Sequence, residues 1–141
     1  TNNLQTERLK MILEKEPICF NHNLETIERL QKEVRRGANY KNSLSLLKKS
    51  KDIAPHIQTK SGIMLGLGET LDEIKNTIYD LKKIDCDQIT IGQYLRPSFN
   101  HLAVKKYWDP SEFEYLYCFS KELGFKKVSS GPLVRSSYHA G

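Results

Sequence analysis

Residues 58–73, which read QTKSGIMLGLGETLDE, contain a complete transition from strand to helix. Their first half predicts a buried strand, from about Gln58 to Leu65, that stops at a Gly-Leu-Gly turn. Thr70 then begins a helix, and Glu73 three residues later completes a capping box. The stretch therefore predicts one βα unit with a glycine-rich turn between its strand and its helix.

The same alternation extends in both directions from this unit. We expect further helices at about Leu4–Glu14, Leu24–Val34, Ser43–Ile53 and between Asp109 and Gly124, and further strands at about Ile18–Phe20, Gln88–Gln93 and Phe125–Val128. Alternating strands and helices are typical of α/β folds with a parallel sheet. Three or four βα units are too few for a closed barrel, which takes eight units and about 250 residues. The sequence therefore predicts either a small open α/β sheet or part of a barrel.

Size and composition indicate one globular domain. The chain has 141 residues, of which 38% are hydrophobic and 28% charged, a balance typical of globular proteins with a single core. No apolar run approaches the roughly 20 residues that span a bilayer. The net charge of +5 is spread along helices, so we expect no membrane and no nucleic acid among the partners.

Cys19, Cys86 and Cys118 are odd in number and widely spaced, which favours free thiols.

Polar or glycine-rich clusters follow each predicted strand, at residues 21–23, 66–69, 93–94 and 129–131. The carboxyl ends of parallel strands meet at one edge of a sheet and form the active-site face of α/β proteins. We therefore expect these clusters to form one continuous site.

After the first predicted strand, Asn23 and Glu25 are candidates for binding a ribose diol, because amide and carboxylate oxygens accept hydrogen bonds from hydroxyls. Alternatively, Asn23 caps the next helix and Glu25 favours its N-terminus. Arg35, at the far end of that helix, could bind a carboxylate through two N–H groups or simply be a surface arginine.

The glycine-rich turn at Gly66 and Gly68 resembles a phosphate loop in its position, but no Lys-Ser/Thr pair follows it as in a Walker motif. Glycines also let a flat ring approach the backbone, so this strand end could seat an adenine. A tight turn that binds nothing is the structural alternative.

The terminus, residues 135–141 (RSSYHAG), concentrates hydrogen-bonding side chains where chains usually carry bland polar residues. We expect βα units over residues 1–128 and, over residues 129–141, a tail that folds over the site and contributes ligands. A solvated polar tail is the alternative.

Taken together, four segments resemble lipoyl synthases: residues 20–26 (FNHNLET), 59–70 (TKSGIMLGLGET), 91–98 (IGQYLRPS) and 131–140 (GPLVRSSYHA). The resemblance runs from about Pro17 to the end and covers only the second half of the family's pattern. It implies the C-terminal part of a partial (β/α)₆ TIM-type barrel of the radical SAM superfamily.

The resemblance implies a sulfurtransferase of lipoate biosynthesis that inserts two sulfur atoms, at C6 and C8, into an octanoyl chain on a carrier-protein lysine. In such enzymes one [4Fe–4S] cluster cleaves S-adenosyl-L-methionine to a 5′-deoxyadenosyl radical, and an auxiliary [4Fe–4S] cluster supplies the sulfur. The implied partners are octanoylated lipoyl-carrier proteins, namely 2-oxoacid dehydrogenase E2 domains and the glycine-cleavage H protein. An electron donor such as ferredoxin or flavodoxin is also implied. We expect a cytoplasmic protein, or an organellar one if a preceding segment carries a transit peptide.

The resemblance also assigns residues to the parts of S-adenosylmethionine. Asn23 and Glu25 would bind its ribose, and Arg35 would bind its methionine carboxylate. Ile63, Met64 and Gly66 would pack against its adenine, and Gln93 and Tyr94 would close the floor of the site. The resemblance also implies that a tail serine, Ser137 in preference to Ser136, is a ligand of the auxiliary cluster. Arg135 and Tyr138 would hold the tail in place.

The family's two cysteine motifs are absent from this sequence, and the three cysteines do not have the spacing to replace them. We therefore expect the chain alone not to cleave S-adenosylmethionine, and we interpret it as the C-terminal half of a lipoyl synthase. A first residue other than Met agrees with this interpretation. Two alternatives remain: a non-catalytic module of a truncated paralogue that binds S-adenosylmethionine or a carrier protein, and an α/β phosphate-binding domain.

Overall fold

The computed structural model describes residues 2–34, 37 and 39–134. The helices within these ranges are α1 (Asn2–Glu14), α2 (Gln31–Val34), which follows a 3₁₀ turn at Glu28–Leu30, α3 (Tyr40–Ile53), α4 (Leu71–Lys83) and α5 (Pro110–Leu123). The strands are β1 (Cys19–Asn21), β2 (Gln58–Leu65), β3 (Gln88–Gln93) and β4 (Lys127–Gly131).

The four strands form one open parallel sheet in the order β1-β2-β3-β4. Each strand lies beside its predecessor in the chain, which is the progression found in βα barrels. The predicted α/β class is therefore confirmed, and the arrangement is consistent with part of a TIM-type barrel.

Helices α1, α3, α4 and α5 pack on one face of the sheet, and the main core lies between them and that face. The buried residues of this core include Leu9, Leu13, Leu47, Ile74, Ile78, Leu81, Phe113 and Leu116 from the helices and Phe20, Ile63, Leu65, Ile89, Ile91 and Val128 from the strands. Successive side chains of a strand point to opposite faces, so Met64, Gly92 and Gly131 lie on the other face. They form one row across the sheet, because Met64 pairs with Gly92 and Gly92 pairs with Gly131. We call this face, opposite α1, α3, α4 and α5, the inner face.

Local sequence signals place the starts of α4 and α5 as predicted. The Thr70–Glu73 capping box is present at the start of α4, and Asp109 and Glu112 form a second one at the start of α5. These boxes satisfy backbone N–H groups that a helix start leaves without partners. The limits predicted for β2 and β3 are also confirmed.

The helix predicted over Leu24–Val34 is wrong in its first part. Glu25 has a φ of 71° and forms a parallel bridge with Ile63, so the chain continues alongside β2 before it turns. Helical structure begins only at Glu28. The last strand also differs from its prediction, since it begins at Lys127 and includes Ser129 and Ser130.

None of the described helices combines the length and apolarity that a bilayer crossing requires. The boundary expected between residues 128 and 129 stays a prediction, because residues 135–141 lie outside the described residues.

Candidate functional site

An open cleft of about 480 Å³ lies at the carboxyl ends of the first three strands. Its lining comes from the segments after β1 (Glu25, Glu33, Val34), from the end of β2 and the turn after it (Met64, Leu67), and from the segment after β3 (Tyr94, Pro97, Asn100, His101, Leu102). A volume of this size is typical of small-molecule sites. Of the four clusters expected to form one site, residues 66–69 contribute Leu67 and residues 93–94 contribute Tyr94, whereas residues 21–23 and 129–131 do not line this cleft.

Glu25 reaches the cleft because the backbone around it is held against β2. Its N–H donates to Gly62 O (3.0 Å), and its carbonyl accepts from the Met64 N–H (2.9 Å). The left-handed backbone conformation costs a non-glycine residue roughly 1–2 kcal/mol, and these two bonds help to offset that cost. The backbone of Glu25 is thus fixed at the edge of the sheet, and its side chain lines the cleft.

The apolar wall of the cleft is a small core of its own. Ile27, Leu30, Leu67 and Tyr94 are buried together, with Met64 and Val34 packed against them. The Tyr94 hydroxyl donates to Leu102 O (2.6 Å), and burial raises its pKa above the ordinary value. The phenol therefore stays neutral and ties the loop after β3 to the wall.

Two buried polar side chains that do not line the cleft hold this loop, residues 94–108. The Gln93 amide donates to Lys106 O (2.9 Å) and accepts from the Trp108 N–H (3.0 Å). The Glu69 carboxylate accepts from the N–H groups of Gly66 (2.8 Å) and Leu67 (3.1 Å), and from Trp108 Nε1 (3.0 Å). Sequence reasoning included Glu69 in the cluster at residues 66–69 without giving it a role, and it missed Trp108. The available signals were a glutamate directly after a glycine turn and the single tryptophan of the chain.

Gly66 fits tightly beneath the same loop. Its φ is 109°, a Cβ there would collide with Gln93 Nε2, and the same atom would lie 2.6 Å from Lys106 O. Both conformation and space therefore require glycine at this turn.

An ion pair connects the segment after β1 to the turn after β2. Arg29 donates to both carboxylate oxygens of Glu73 (2.8 and 2.9 Å) and to Gly68 O (2.9 Å). The hydrogen bond from Arg29 is the main reason that the pKa of Glu73 is lowered to about 2. Partial burial of the carboxylate acts in the opposite direction, and the hydrogen bond from the Thr70 N–H lowers the pKa further. Glu73 therefore links two sides of the cleft while it caps α4.

The structure brings together some of the predicted ligand residues and not others. Glu25, Met64 and Tyr94 line the cleft. Asn23 is buried two residues before Glu25, and Gln93 and Gly66 support the neighbouring loop. The Ile63 side chain lies on the helix face in the main core, with 1% exposure. Arg35 and Ser137 lie outside the described residues.

The three cysteines differ in exposure. Cys86 is buried, Cys19 half-buried and Cys118 exposed, and burial raises the pKa of Cys86 to about 12. Burial also raises the pKa of Cys19, so both thiols resist the ionisation that iron–sulfur ligation requires. No cluster of three His, Cys, Asp or Glu side chains suited to a metal occurs among the described residues. These residues therefore do not fit an iron–sulfur cluster by themselves.

Close relatives are known for nearly the whole chain. It is 79% identical over 138 residues to "Lipoyl synthase 2" of Prochlorococcus marinus subsp. pastoris, covering 98% of this chain and 46% of that protein. It is 56% identical over 137 residues to "Lipoyl synthase 2" of Nostoc sp., covering 97% and 46%. It is 52% identical over 135 residues to "Lipoyl synthase" of Hydrogenovibrio crunogenus, covering 96% and 43%. No family model matches the chain. The chain spans about half the length of the curated relatives it matches, and the matched half is their C-terminal one.

Proposed function

Because the chain belongs to the lipoyl synthase family, we propose that it provides the S-adenosylmethionine-binding wall of an enzyme that inserts sulfur at C6 and C8 of a protein-bound octanoyl group. The observation that supports this most strongly is the cleft at the strand ends. It combines the Glu25 carboxylate with an apolar wall, at the edge of the sheet where βα barrels carry their active sites.

The residues around the cleft fit the nucleoside part of S-adenosylmethionine. The Glu25 carboxylate would accept hydrogen bonds from the ribose hydroxyls, with Asn23 beside it. Met64, Leu67 and Tyr94 would pack on the adenine, which needs an apolar surface. Gln93 and Gly66 would act indirectly, by holding the loop that forms the outer wall. Ile63 would contribute through its backbone, since its side chain belongs to the main core.

Two further assignments concern residues outside the described ranges. Arg35 would bind the methionine carboxylate, because a guanidinium matches a carboxylate through paired N–H groups. Ser137 would be a ligand of the auxiliary cluster, with Arg135 and Tyr138 supporting the tail. An alkoxide oxygen is a harder ligand than thiolate, which suits a cluster that gives up its sulfur.

S-adenosylmethionine would supply the hydrogen-abstracting chemistry, and two [4Fe–4S] clusters would supply the electron and the sulfur. The described residues offer no ligand set for either cluster, so we assign the cluster cysteines to the part of the family that this chain does not cover. The role of this chain is to bind and orient the nucleoside and to form the wall around it.

The substrates we propose are octanoylated E2 domains of 2-oxoacid dehydrogenases and the octanoylated glycine-cleavage H protein. A small ferredoxin or flavodoxin would be the electron donor. The relatives named above are bacterial, which supports a cytoplasmic location.

The test is binding of S-adenosylmethionine to the complete protein, measured by equilibrium dialysis, for the wild type and for Glu25→Gln. A hydrogen bond to a charged group is worth about 1.5–3 kcal/mol, so we expect affinity to fall by about 10- to 100-fold. Glu28→Gln is the matched control, because it makes the same charge change three residues away and Glu28 does not line the cleft.

Equal affinity for all three proteins would show that Glu25 does not contact the ribose. Wild-type binding without any lipoyl product from the complete protein would instead favour the non-catalytic module.

A further inference from the structure

The last described residues turn back over the inner face of the sheet. Beyond β4, the Val134 N–H donates to Gly131 O (3.2 Å), which closes a turn through Pro132 and Leu133. Proline is favoured at the second position of such turns because its φ is already fixed. Leu133, at the outer corner, is 86% exposed.

Gly92 of β3 is where this turn meets the sheet. A Cβ on Gly92 would collide with Val134 O, and it would lie 3.2 Å from the Val134 carbonyl carbon. Gly92 is not among the glycines with positive φ, so its backbone conformation is open to any residue. The close approach of Val134 is therefore the reason that a side chain is excluded.

The row of residues across the inner face shows where this contact lies. Gly92 pairs with Met64 on one side and with Gly131 on the other. Met64 lines the cleft, so the carbonyl of Val134 lies one strand away from a residue of the candidate site. The chain thus leaves the sheet at its carboxyl edge, on the inner face and next to the cleft.

We propose that Gly92 is a positioning residue, whose missing side chain makes a seat for Val134 and so holds the chain at Val134 beside the cleft. The consequence for catalysis rests on the proposed lipoyl synthase function, whereas the seat itself rests on the contacts above. A side chain at position 92 would lift Val134 from the sheet.

Gly131 provides a matched control. A Cβ there would meet only Val134 Cγ2, at 3.6 Å, which is an ordinary van der Waals contact. Gly92→Ala and Gly131→Ala therefore add the same methyl group to neighbouring positions of one row, but only the first displaces the turn.

The first readout is trypsin cleavage of the complete protein after Arg135, followed by mass spectrometry. Cleavage depends on local opening of the chain, and we expect Gly92→Ala to accelerate it by about tenfold over the wild type. Gly131→Ala should cleave at the wild-type rate. If Gly92→Ala does not fold, Pro132→Gly loosens the same turn without adding an atom to β3 and should also accelerate cleavage.

The second readout separates two steps of the proposed reaction. In Gly92→Ala we expect 5′-deoxyadenosine to form at a rate close to the wild type while lipoyl product falls by at least about tenfold, because only the terminal segment is displaced. A general loss of stability would instead lower both products and the melting temperature.

The seat is refuted if Gly92→Ala folds and is cleaved after Arg135 no faster than Gly131→Ala. If Gly92→Ala does not fold, the seat is refuted when Pro132→Gly is cleaved at the wild-type rate. Faster cleavage with both products unchanged would keep the seat and remove its catalytic role. A wild-type protein that makes no lipoyl product would contradict the proposed function and leave the proteolysis result standing.

Discussion

The indole N–H of Trp108 donates to the carboxylate of Glu69, with 3.0 Å between Nε1 and Oε2 across 39 positions of sequence. The same carboxylate accepts two backbone N–H groups of the turn after β2. One buried acidic group therefore fixes both the turn and the end of the loop that forms the outer wall of the cleft.

Glu69→Gln should destabilise the protein, because an amide offers one oxygen and an NH₂ group to a site that contains three donors. We expect a loss of about 2 kcal/mol in the free energy of unfolding, typical of a buried donor left without its acceptor. Urea unfolding measures this loss. Trp108 is the only tryptophan, so its emission should also shift to the red. Glu122→Gln, on the exposed side of α5, should change neither quantity.

Ile63 and Met64 should respond differently to truncation, since they lie on opposite faces of β2. Ile63→Ala removes a core side chain and should cost about 3 kcal/mol of stability, with little change in nucleoside affinity among the molecules that remain folded. Met64→Ala should reduce affinity for S-adenosylmethionine and cost less stability. Thermal unfolding together with equilibrium dialysis tests both expectations, and the reverse pattern would contradict the assignment of the faces.

Asp87 should make stability depend on pH at the opposite end of the sheet. Burial opposes its ionisation, but hydrogen bonds from Lys51 (2.6 Å), the Thr59 N–H (2.8 Å) and Lys126 (3.2 Å) outweigh burial, so its pKa lies below the ordinary value. A lowered pKa means that this stabilisation is complete above the unfolded-state pKa of about 3.9. It is lost as the pH falls through the lower folded-state value.

Asp87→Asn should therefore cost about 3 kcal/mol at pH 7, because Lys51 loses its partner in a largely buried setting. The variant should also lose part of the acid dependence of stability below about pH 4. Urea unfolding at several pH values measures both effects. Asp52→Asn, which breaks an exposed pair with Lys48, is the control and should be nearly neutral.

Arg29→Ala should raise the pKa of Glu73 from about 2 towards its ordinary value of 4.5. The main cause of the lowered pKa is the hydrogen bond from Arg29, and the Thr70 N–H that remains accounts for less of it. NMR titration of the Glu73 side chain measures the change directly. An unchanged pKa would mean that the pair does not form in solution. We expect a stability change below about 1 kcal/mol, because the pair is largely exposed.

The elements that sequence predicted well are those with local causes. The limits of β2 and β3 follow from apolar runs that end at turns, and the starts of α4 and α5 follow from capping boxes contained in four residues each. The segment after β1 was misjudged because Ile27, Leu30 and Val34 have a helical spacing. Its first residues instead bond to β2, and the Leu24 N–H donates to Ser61 Oγ 37 positions away.

The candidate site could be anticipated only in part. Position after a strand pointed to Glu25 and Tyr94, the family resemblance pointed to Met64, and the fold brings these three to one cleft. Their role in binding stays a prediction. Ile63 looked equivalent to Met64 because a strand buried on both faces shows no alternation of polarity. Glu69, Gln93 and Trp108 act through contacts between distant segments, which leave no pattern within any one of them.

The contact between Gly66 and Gln93 carries a consequence for how this family can change over time. The amide of Gln93 occupies the place that a side chain at position 66 would need, and it also holds Lys106 and Trp108. A substitution at position 66 is therefore harmful by itself, and a shorter residue at position 93 releases the loop. Because the φ of 109° disfavours any other residue at position 66 as well, a change at position 93 cannot compensate for the loss of this glycine, so the two positions should be inherited as a pair.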